Sequence, residues 1–357
     1  MDISRPSANA YVQEQGLMKK AGEWLIQYGK NLFIIGGKTA WSKVSVALEP
    51  SLKEYKLDYE VAIFAGESSY EEVARLYKSV PPEADLIIGV GGGKALDTSK
   101  VVAAKLGLPF VAIPTVAGTC ACVTPLSVMY TPDGVYTEFI SHPQNSVLTL
   151  VDSEIIADSP VPYMLSGIGD TLAKWYEGTV CARGMEDHVP TKLGLAAAKI
   201  CLETLTKYCE IALKDMNTKT PSYAIQQITD AIFLSAGAVG GFGNQNTRAC
   251  AAHGVHDGLT AVAETHQMKH GMKVAYGIIV LMYIDEQAVE EIEQVKSLYR
   301  KIGLPTSLLE LGVKRELADT ELIKIAQLAL SPTSFMHYMP YPVSVEMITE
   351  AMKKTQN

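Results

Sequence analysis

Asp85-Leu86-Ile87-Ile88-Gly89-Val90-Gly91-Gly92-Gly93-Lys94-Ala95-Leu96-Asp97 decides the fold. The apolar residues Leu86 to Val90 form a short run that reads as a strand buried on both faces. Glycines follow at once, and a helical pattern over Lys94–Leu106 follows the glycines. Strand, glycine turn and helix in that order bring unpaired N–H groups and the positive end of a helix dipole to one point, which favours a phosphate. Consecutive glycines let the backbone approach a pyrophosphate without Cβ clashes and permit positive φ. The stretch departs from G-x-G-x-x-G because Lys94 stands where a glycine is needed. It is not a Walker A loop either, since no glycine stands five before Gly93 and Ala95 replaces Ser/Thr. A tight turn with no ligand is the bland alternative, and the strand–turn–helix context favours phosphate binding over it.

Outward from this turn the chain alternates helix and strand patterns. An amphipathic segment, Met18–Tyr28, leads to the apolar run Leu32-Phe33-Ile34-Ile35, closed by Gly36-Gly37. A helix at Lys43–Leu52, a strand at Tyr59–Phe64, a helix at Tyr70–Ser79 and a strand at Phe110–Ile113 extend the pattern. Such alternation predicts βαβ units and a parallel, doubly wound sheet. From Ser127 to Val151 the spacing predicts a hairpin turning at Pro132-Asp133-Gly134. Beyond Pro160 helical stretches recur at Asp170–Thr179, Thr191–Leu213, Tyr223–Val239, Val274–Gln287 and Val289–Ile302. The break at Asp158-Ser159-Pro160-Val161-Pro162 divides an α/β nucleotide-binding domain, residues 1–158, from an all-helical domain, residues 159–357.

Two domains suit 357 residues, which exceed the usual span of one hydrophobic core. A net charge of −8 and the lack of any Lys/Arg-rich run exclude nucleic acid and anionic membranes as expected partners. No apolar stretch reaches the ~20 residues that span a bilayer. No basic region followed by an apolar stretch opens the chain, so no signal peptide is expected and the location reads as cytoplasmic. The six cysteines are scattered, and Cys120-Ala121-Cys122 is too closely spaced for a zinc knuckle or a CxxC pair, so free thiols are expected.

Four of the seven histidines fall in Ala252-His253-Gly254-Val255-His256-Asp257 and Glu264-Thr265-His266-Gln267-Met268-Lys269-His270-Gly271. On a helix His253 and His256 would share a face, as would His266 and His270. Imidazole and carboxylate suit a catalytic zinc with one open position, yet spacing alone leaves all four histidines as candidates, with core packing or surface exposure as the alternative. Gly167-Ile168-Gly169-Asp170-Thr171-Leu172-Ala173-Lys174-Trp175 adds an acid at an expected helix start. There Asp170 could be an N-cap, and Lys174 could form an i,i+4 ion pair with it on a solvated face.

These segments, with Pro114-Thr115, Leu126-Ser127-Val128 and Lys273-Val274-Ala275-Tyr276-Gly277, resemble the iron-containing alcohol dehydrogenase superfamily in its glycerol dehydrogenase-like branch. The resemblance covers nearly the whole chain. It implies a nucleotide-binding α/β domain followed by a helical metal domain, with the active site in the cleft between them. It implies a metal held by Asp170, His253 and His270, with His256 and His266 nearby. The family's iron enzymes carry a further histidine where Lys174 stands, so three ligands are expected, and zinc in preference to iron or nickel. A nicotinamide cofactor would lie on Gly91, Gly92, Gly93, Lys94 and Asp97, with Thr115, Gly118, Thr119, Thr124, Leu126 and Tyr130 around it.

Departures from the family pattern refine the expectation. Glycerol dehydrogenases carry a polyol-contacting aspartate where this chain has Cys120. The segments around Cys120, Leu126-Ser127-Val128, Asp170–Glu177 and Phe335-Met336-His337-Tyr338-Met339-Pro340 are similar to hydroxycarboxylate dehydrogenases of the same branch, which reduce 2-oxo acids. Neutral Cys120 removes a repulsion for a substrate carboxylate, and Lys174 supplies a cation for it. NAD-specific relatives have an aspartate after the strand that here ends Gly36-Gly37-Lys38, so NADP(H) is expected in preference to NAD(H). The metal would polarise the substrate carbonyl, with His256 in the proton path. A small-molecule substrate and a homo-oligomer are expected. The alternative is a glycerol- or diol-type polyol dehydrogenase. More distant are a lyase sharing the dehydroquinate synthase-like architecture and a non-catalytic nucleotide-binding protein.

Overall fold

The apolar runs become strands because each is short, rich in Ile and Val, and covered on both faces. A computed structural model describes residues 3–185 and 187–356. Its strands are β1 (Tyr11–Glu14), β2 (Asn31–Gly37), β3 (Asp58–Phe64), β4 (Leu86–Gly91), β5 (Phe110–Pro114), β6 (Leu126–Tyr130), β7 (Tyr136–Ser141) and β8 (Leu148–Asp152). Six of them form one sheet in the order β1-β8-β5-β4-β2-β3, and every neighbouring pair is parallel. Leu32, Ile34, Ile88, Val90, Val111 and Ile113 from one face pack with Val44, Leu48 and Leu52 of the helix Lys38–Glu54. Ser69 caps the helix Tyr70–Ser79, accepting from the Glu72 N–H at 3.2 Å.

Strand order fixes where a ligand can sit. β2 pairs with β3 on one side and β4 on the other, so the direction of strand addition reverses between β3 and β4. In open α/β sheets ligands bind beyond the carboxyl ends of the strands at such a reversal. Both strands flanking it end in glycine, β2 at Gly36-Gly37 and β4 at Gly91.

Two expectations are corrected here. The Ser127–Val151 hairpin ends at Ser141: β6 and β7 pair antiparallel, whereas β8 joins the main sheet beside β1 and β5. All five β8 residues are buried, which a two-stranded ribbon could not achieve. Strand β1 was not anticipated, because Tyr11-Val12-Gln13-Glu14 is a short, half-exposed edge strand without an apolar run.

The chain divides into two compact units. One comprises Ser7–Pro160 with Lys214–Gly237; the other comprises the residues before Ser7, Val161–Leu213 and those from Ala238 on. The second unit is helical. Its core gathers Val180, Val255, Leu259, Tyr276, Val280, Leu281, Leu322 and Ile348 from several helices. Short helices at Asp319–Ala329 and Val345–Lys353 follow those predicted. Among the described residues no helix is long and apolar enough to cross a membrane.

Candidate active site

One candidate site lies in the sheet unit. Gly91 has φ of 151°, and a Cβ there would meet Ala95 Cβ at 3.0 Å and the Gly37 nitrogen at 4.0 Å. The ends of β2 and β4 are therefore close enough that only glycine leaves the space above them open. A Cβ on Gly93 would lie 3.2 Å from Thr119 Oγ1, so the segment after β5 borders the same turn. The Thr115 N–H donates to the Gly91 carbonyl at 3.1 Å, and the helix Gly93–Leu106 points its N-terminus at this cradle. Lys38 is exposed at the first position of its helix. Lys94 pairs with Glu67 at 2.6 Å and lies 4.9 Å from the Tyr130 ring centre.

A buried lysine organises the neighbouring loop. Lys100 Nζ donates to the carbonyls of Ala121 (2.9 Å), Thr124 (3.2 Å) and Leu126, and pairs with Asp97 Oδ1 at 2.8 Å. Asp97 Oδ2 accepts from the Val128 N–H at 3.1 Å. Asp97 thus orients β6 and its approach. Ser127 Oγ donates to the Asp97 carbonyl at 2.9 Å and lies 2.8 Å from His142 Nε2. Cys120, partly exposed, opens a one-turn helix capped by Thr119, whose hydroxyl accepts from the Ala121 N–H. Gly118 lies in the bend leading to it.

A second candidate site lies in the helical unit. Asp170 sits in the middle of the helix Val161–Cys181 rather than at a helix start, so it is not an N-cap. Gly169, just before the expected helix start, serves close helix packing instead. A Cβ on Gly169 would collide with the Gly271 carbonyl, and one on Gly271 with the Ser166 carbonyl. The Gly271 N–H also donates to Ser166 Oγ at 2.9 Å. This backbone contact sets Asp170 beside His270, the first residue of the helix His270–Ile284. Gly277 packs likewise against the Ala252 carbonyl, which brings in His253 on the helix Ala251–Leu259.

Asp170, His253 and His270 each offer a ligand atom, and these atoms all lie within 4.8 Å of one another. His253 Nε2 is 3.4 Å and His270 Nε2 3.9 Å from Asp170 Oδ1. Behind them, His253 Nδ1 donates to Glu177 Oε2 at 2.6 Å, and His270 Nδ1 lies 3.0 Å from His256 Nε2. His256 Nδ1 in turn lies 3.0 Å from Asp257 Oδ1. Lys174 does pair with Asp170, at 3.0 Å, but in a buried setting rather than on a solvated face. His266 does not share a helix with His270; it is exposed, with Nε2 2.9 Å from the Thr260 carbonyl.

The electrostatics suit a divalent cation. Burial pushes the Asp170 carboxyl up, but Lys174, His253 and His270 outweigh it and hold the group well below the usual carboxylate range. Burial is likewise outweighed at Glu177, by His253 and Lys174, so its carboxyl is held low. His253, between two carboxylates, is pushed up to about 9 despite its burial. His270 and His256 are pulled well below the ordinary imidazole range, chiefly by burial. Ionised Asp170 and neutral His270 are ready donors, and the proton on His253 Nε2 occupies the place a cation would take. Two imidazole nitrogens and one carboxylate oxygen match the donor set of catalytic zinc.

Sequence reasoning gave no role to Glu177, Lys100 or Asp257. The missed signal at Glu177 was a stripe: Asp170, Lys174 and Glu177 recur at i, i+4 and i+7 in a helix otherwise rich in apolar and small residues.

The sequence profile of the iron-containing alcohol dehydrogenases matches residues 8–153. The chain is 35% identical over 348 residues to the glycerol dehydrogenase of Thermotoga maritima, covering 96% of this chain and 94% of that one. It is 38% identical over 296 residues to hydroxycarboxylate dehydrogenase A of Escherichia coli, covering 83% and 81%. The crystal structure of glycerol dehydrogenase from Schizosaccharomyces pombe superposes with a TM-score of 0.92 at 30% identity, over 99% of this chain and 90% of that one. The chain belongs to the iron-containing alcohol dehydrogenase family, in its glycerol dehydrogenase-like branch, and is a dehydrogenase acting on alcohol groups.

Proposed function

We propose that this enzyme interconverts small 2-oxo acids and 2-hydroxy acids, with NADP(H) preferred to NAD(H) and one divalent cation, zinc ahead of iron or nickel. The observation that carries the substrate reading is the buried Lys174 ammonium, 3.0 Å from Asp170 and so beside the ligand set. When bound, the cation supplies Lewis acidity to the substrate carbonyl and the nicotinamide supplies or accepts hydride. Asp170, His253 and His270 would hold the cation. Lys174 would pair with the substrate carboxylate, and neutral Cys120 leaves that carboxylate unopposed.

Gly37, Gly91, Gly92 and Gly93 would admit the pyrophosphate, with Lys94, Thr115, Gly118, Thr119, Thr124, Leu126 and Tyr130 around the nucleotide and Asp97 behind them. Lys38, exposed next to Gly37 with no acid at the end of β2, favours a 2′-phosphate. Proton delivery falls to His256, whose ring joins His270 to Asp257, a carboxylate with 23% exposure. Cytoplasmic location goes with the absence of any disulfide among the described residues. Homo-oligomeric assembly is part of the same reading.

The test is a panel of 2-oxo acids, ketones and polyols with NADPH and NADH. Lys174→Met is expected to raise the 2-oxo acid KM at least tenfold, the loss of about 1.4 kcal/mol of binding. An unchanged KM overturns the role of Lys174, and NADH preference overturns the cofactor reading. A second reading, a polyol dehydrogenase, is favoured by the glycerol dehydrogenases among the relatives, one of them 35% identical across 96% of the chain. Turnover of glycerol or a vicinal diol above that of every 2-oxo acid would establish it.

A further inference from the structure

Glu177 has 0% exposure and belongs to the same helix as Asp170, two turns further on. Its carboxylate is fully engaged from one side. Oε1 accepts from the backbone N–H groups of Cys250 (2.8 Å) and His253 (3.0 Å), and Oε2 lies 2.6 Å from His253 Nδ1. A carboxylate only accepts hydrogen bonds, so the hydrogen between Oε2 and the ring belongs to Nδ1. The other ring nitrogen, Nε2, faces Asp170 Oδ1 at 3.4 Å. The two backbone bonds hold the carboxylate against the first turn of the helix Ala251–Leu259, so the acid, the ring and the helix that carries the ring form one rigid unit.

We propose that Glu177 is the positioning residue of the metal centre, fixing the His253 ring and its Nδ1 hydrogen so that Nε2 alone can donate to a divalent cation. This rests on reading Asp170, His253 and His270 as the ligands. Partners of this kind orient a ligating imidazole and raise its basicity, and their loss costs about 10–100-fold in metal affinity. A purely structural role, anchoring the Ala251–Leu259 helix, makes a different prediction. In Glu177→Gln a single amide oxygen can still accept both backbone N–H groups, and shape and volume are kept. The amide NH2 then meets Nδ1 as a donor, which moves the ring hydrogen to Nε2 and turns it against the cation. Flipping the amide does not help, because the NH2 would then face two backbone N–H groups.

Zinc affinity is to be measured by competition with a chromophoric chelator, alongside thermal melting of the metal-free proteins. The expected result is zinc binding about 10–100-fold weaker in the folded Glu177→Gln variant than in the wild type, with or without a fall in metal-free melting. Equal affinity overturns the proposal, as does lowered metal-free melting with zinc affinity retained, which marks a helix anchor only. Should the variant not fold, the zinc-loaded wild type carries the test through histidine 15N–1H correlation spectra. His253 is expected to be protonated at Nδ1 and metallated at Nε2, and metal at Nδ1 overturns the proposal. A wild type that takes up no zinc overturns the ligand reading itself, an outcome distinct from failure at Glu177 alone.

Discussion

The glycine turn of the sheet unit and the histidine–aspartate cluster of the helical unit differ in how they are built. At the turn the working atoms belong to the backbone, and one contiguous stretch, Gly89 to Asp97, supplies strand end, cradle and helix N-terminus together. In the cluster the working atoms are side chains from three helices, at positions 170, 253 and 270. What brings them together is glycine again, at Gly169, Gly271 and Gly277, where helix backbones touch. Glycine therefore has opposite uses in the two regions. In one it leaves room for a ligand, and in the other it leaves none between helices.

A pair of alanine substitutions separates these uses. Gly271→Ala drives a Cβ into the Ser166 carbonyl, so the two helices must part. The expected cost is about 3 kcal/mol or more, with zinc binding lost as Asp170 and His270 separate. At Gly91 the nearest obstacle is Ala95 Cβ at 3.0 Å, and φ is 151°. Gly91→Ala is expected to cost about 1–2 kcal/mol and to weaken NADPH binding with zinc binding retained. Melting curves, chelator competition and NADPH fluorescence on both variants check this. Loss of zinc in Gly91→Ala, or its retention in Gly271→Ala, would break the comparison.

A smaller effect sharpens it from the sheet side. His142 is 6% exposed, 2.8 Å from Ser127 Oγ, and its imidazole is pulled down to about 4 by burial and then by Lys100. A folded-state value below the unfolded one means stability that is complete above pH ~6.5 and is lost as the pH falls towards 4. The expected loss is on the order of 2 kcal/mol across that window, and His142→Gln should flatten it. Denaturant titrations at several pH values measure this, and an equal slope in the variant would remove His142 from the account.

The same contrast explains what could be read in the sequence. Strand β4, its turn and the helix after it were legible because each is a local pattern, and the parallel sheet followed from their alternation. β8 was misassigned because its sequence neighbours, β6 and β7, form a hairpin that β8 does not join. Asp170 was expected at a helix start and lies mid-helix, because Gly-x-Gly looks the same whether a helix starts there or is pressed against another. Four histidines remained equivalent in spacing, and three-dimensional contact was needed to turn His266 outward and set His256 behind His270. Glu177 and Lys100 were silent because their partners are backbone and ring atoms that no spacing rule reaches.

The most direct test of metal-assisted hydride transfer is to strip the enzyme with a chelator, then follow turnover and NADPH binding on the same sample before and after adding zinc. The account predicts that turnover vanishes on stripping and returns with zinc, while NADPH affinity stays the same throughout. Full turnover in the stripped enzyme would contradict it.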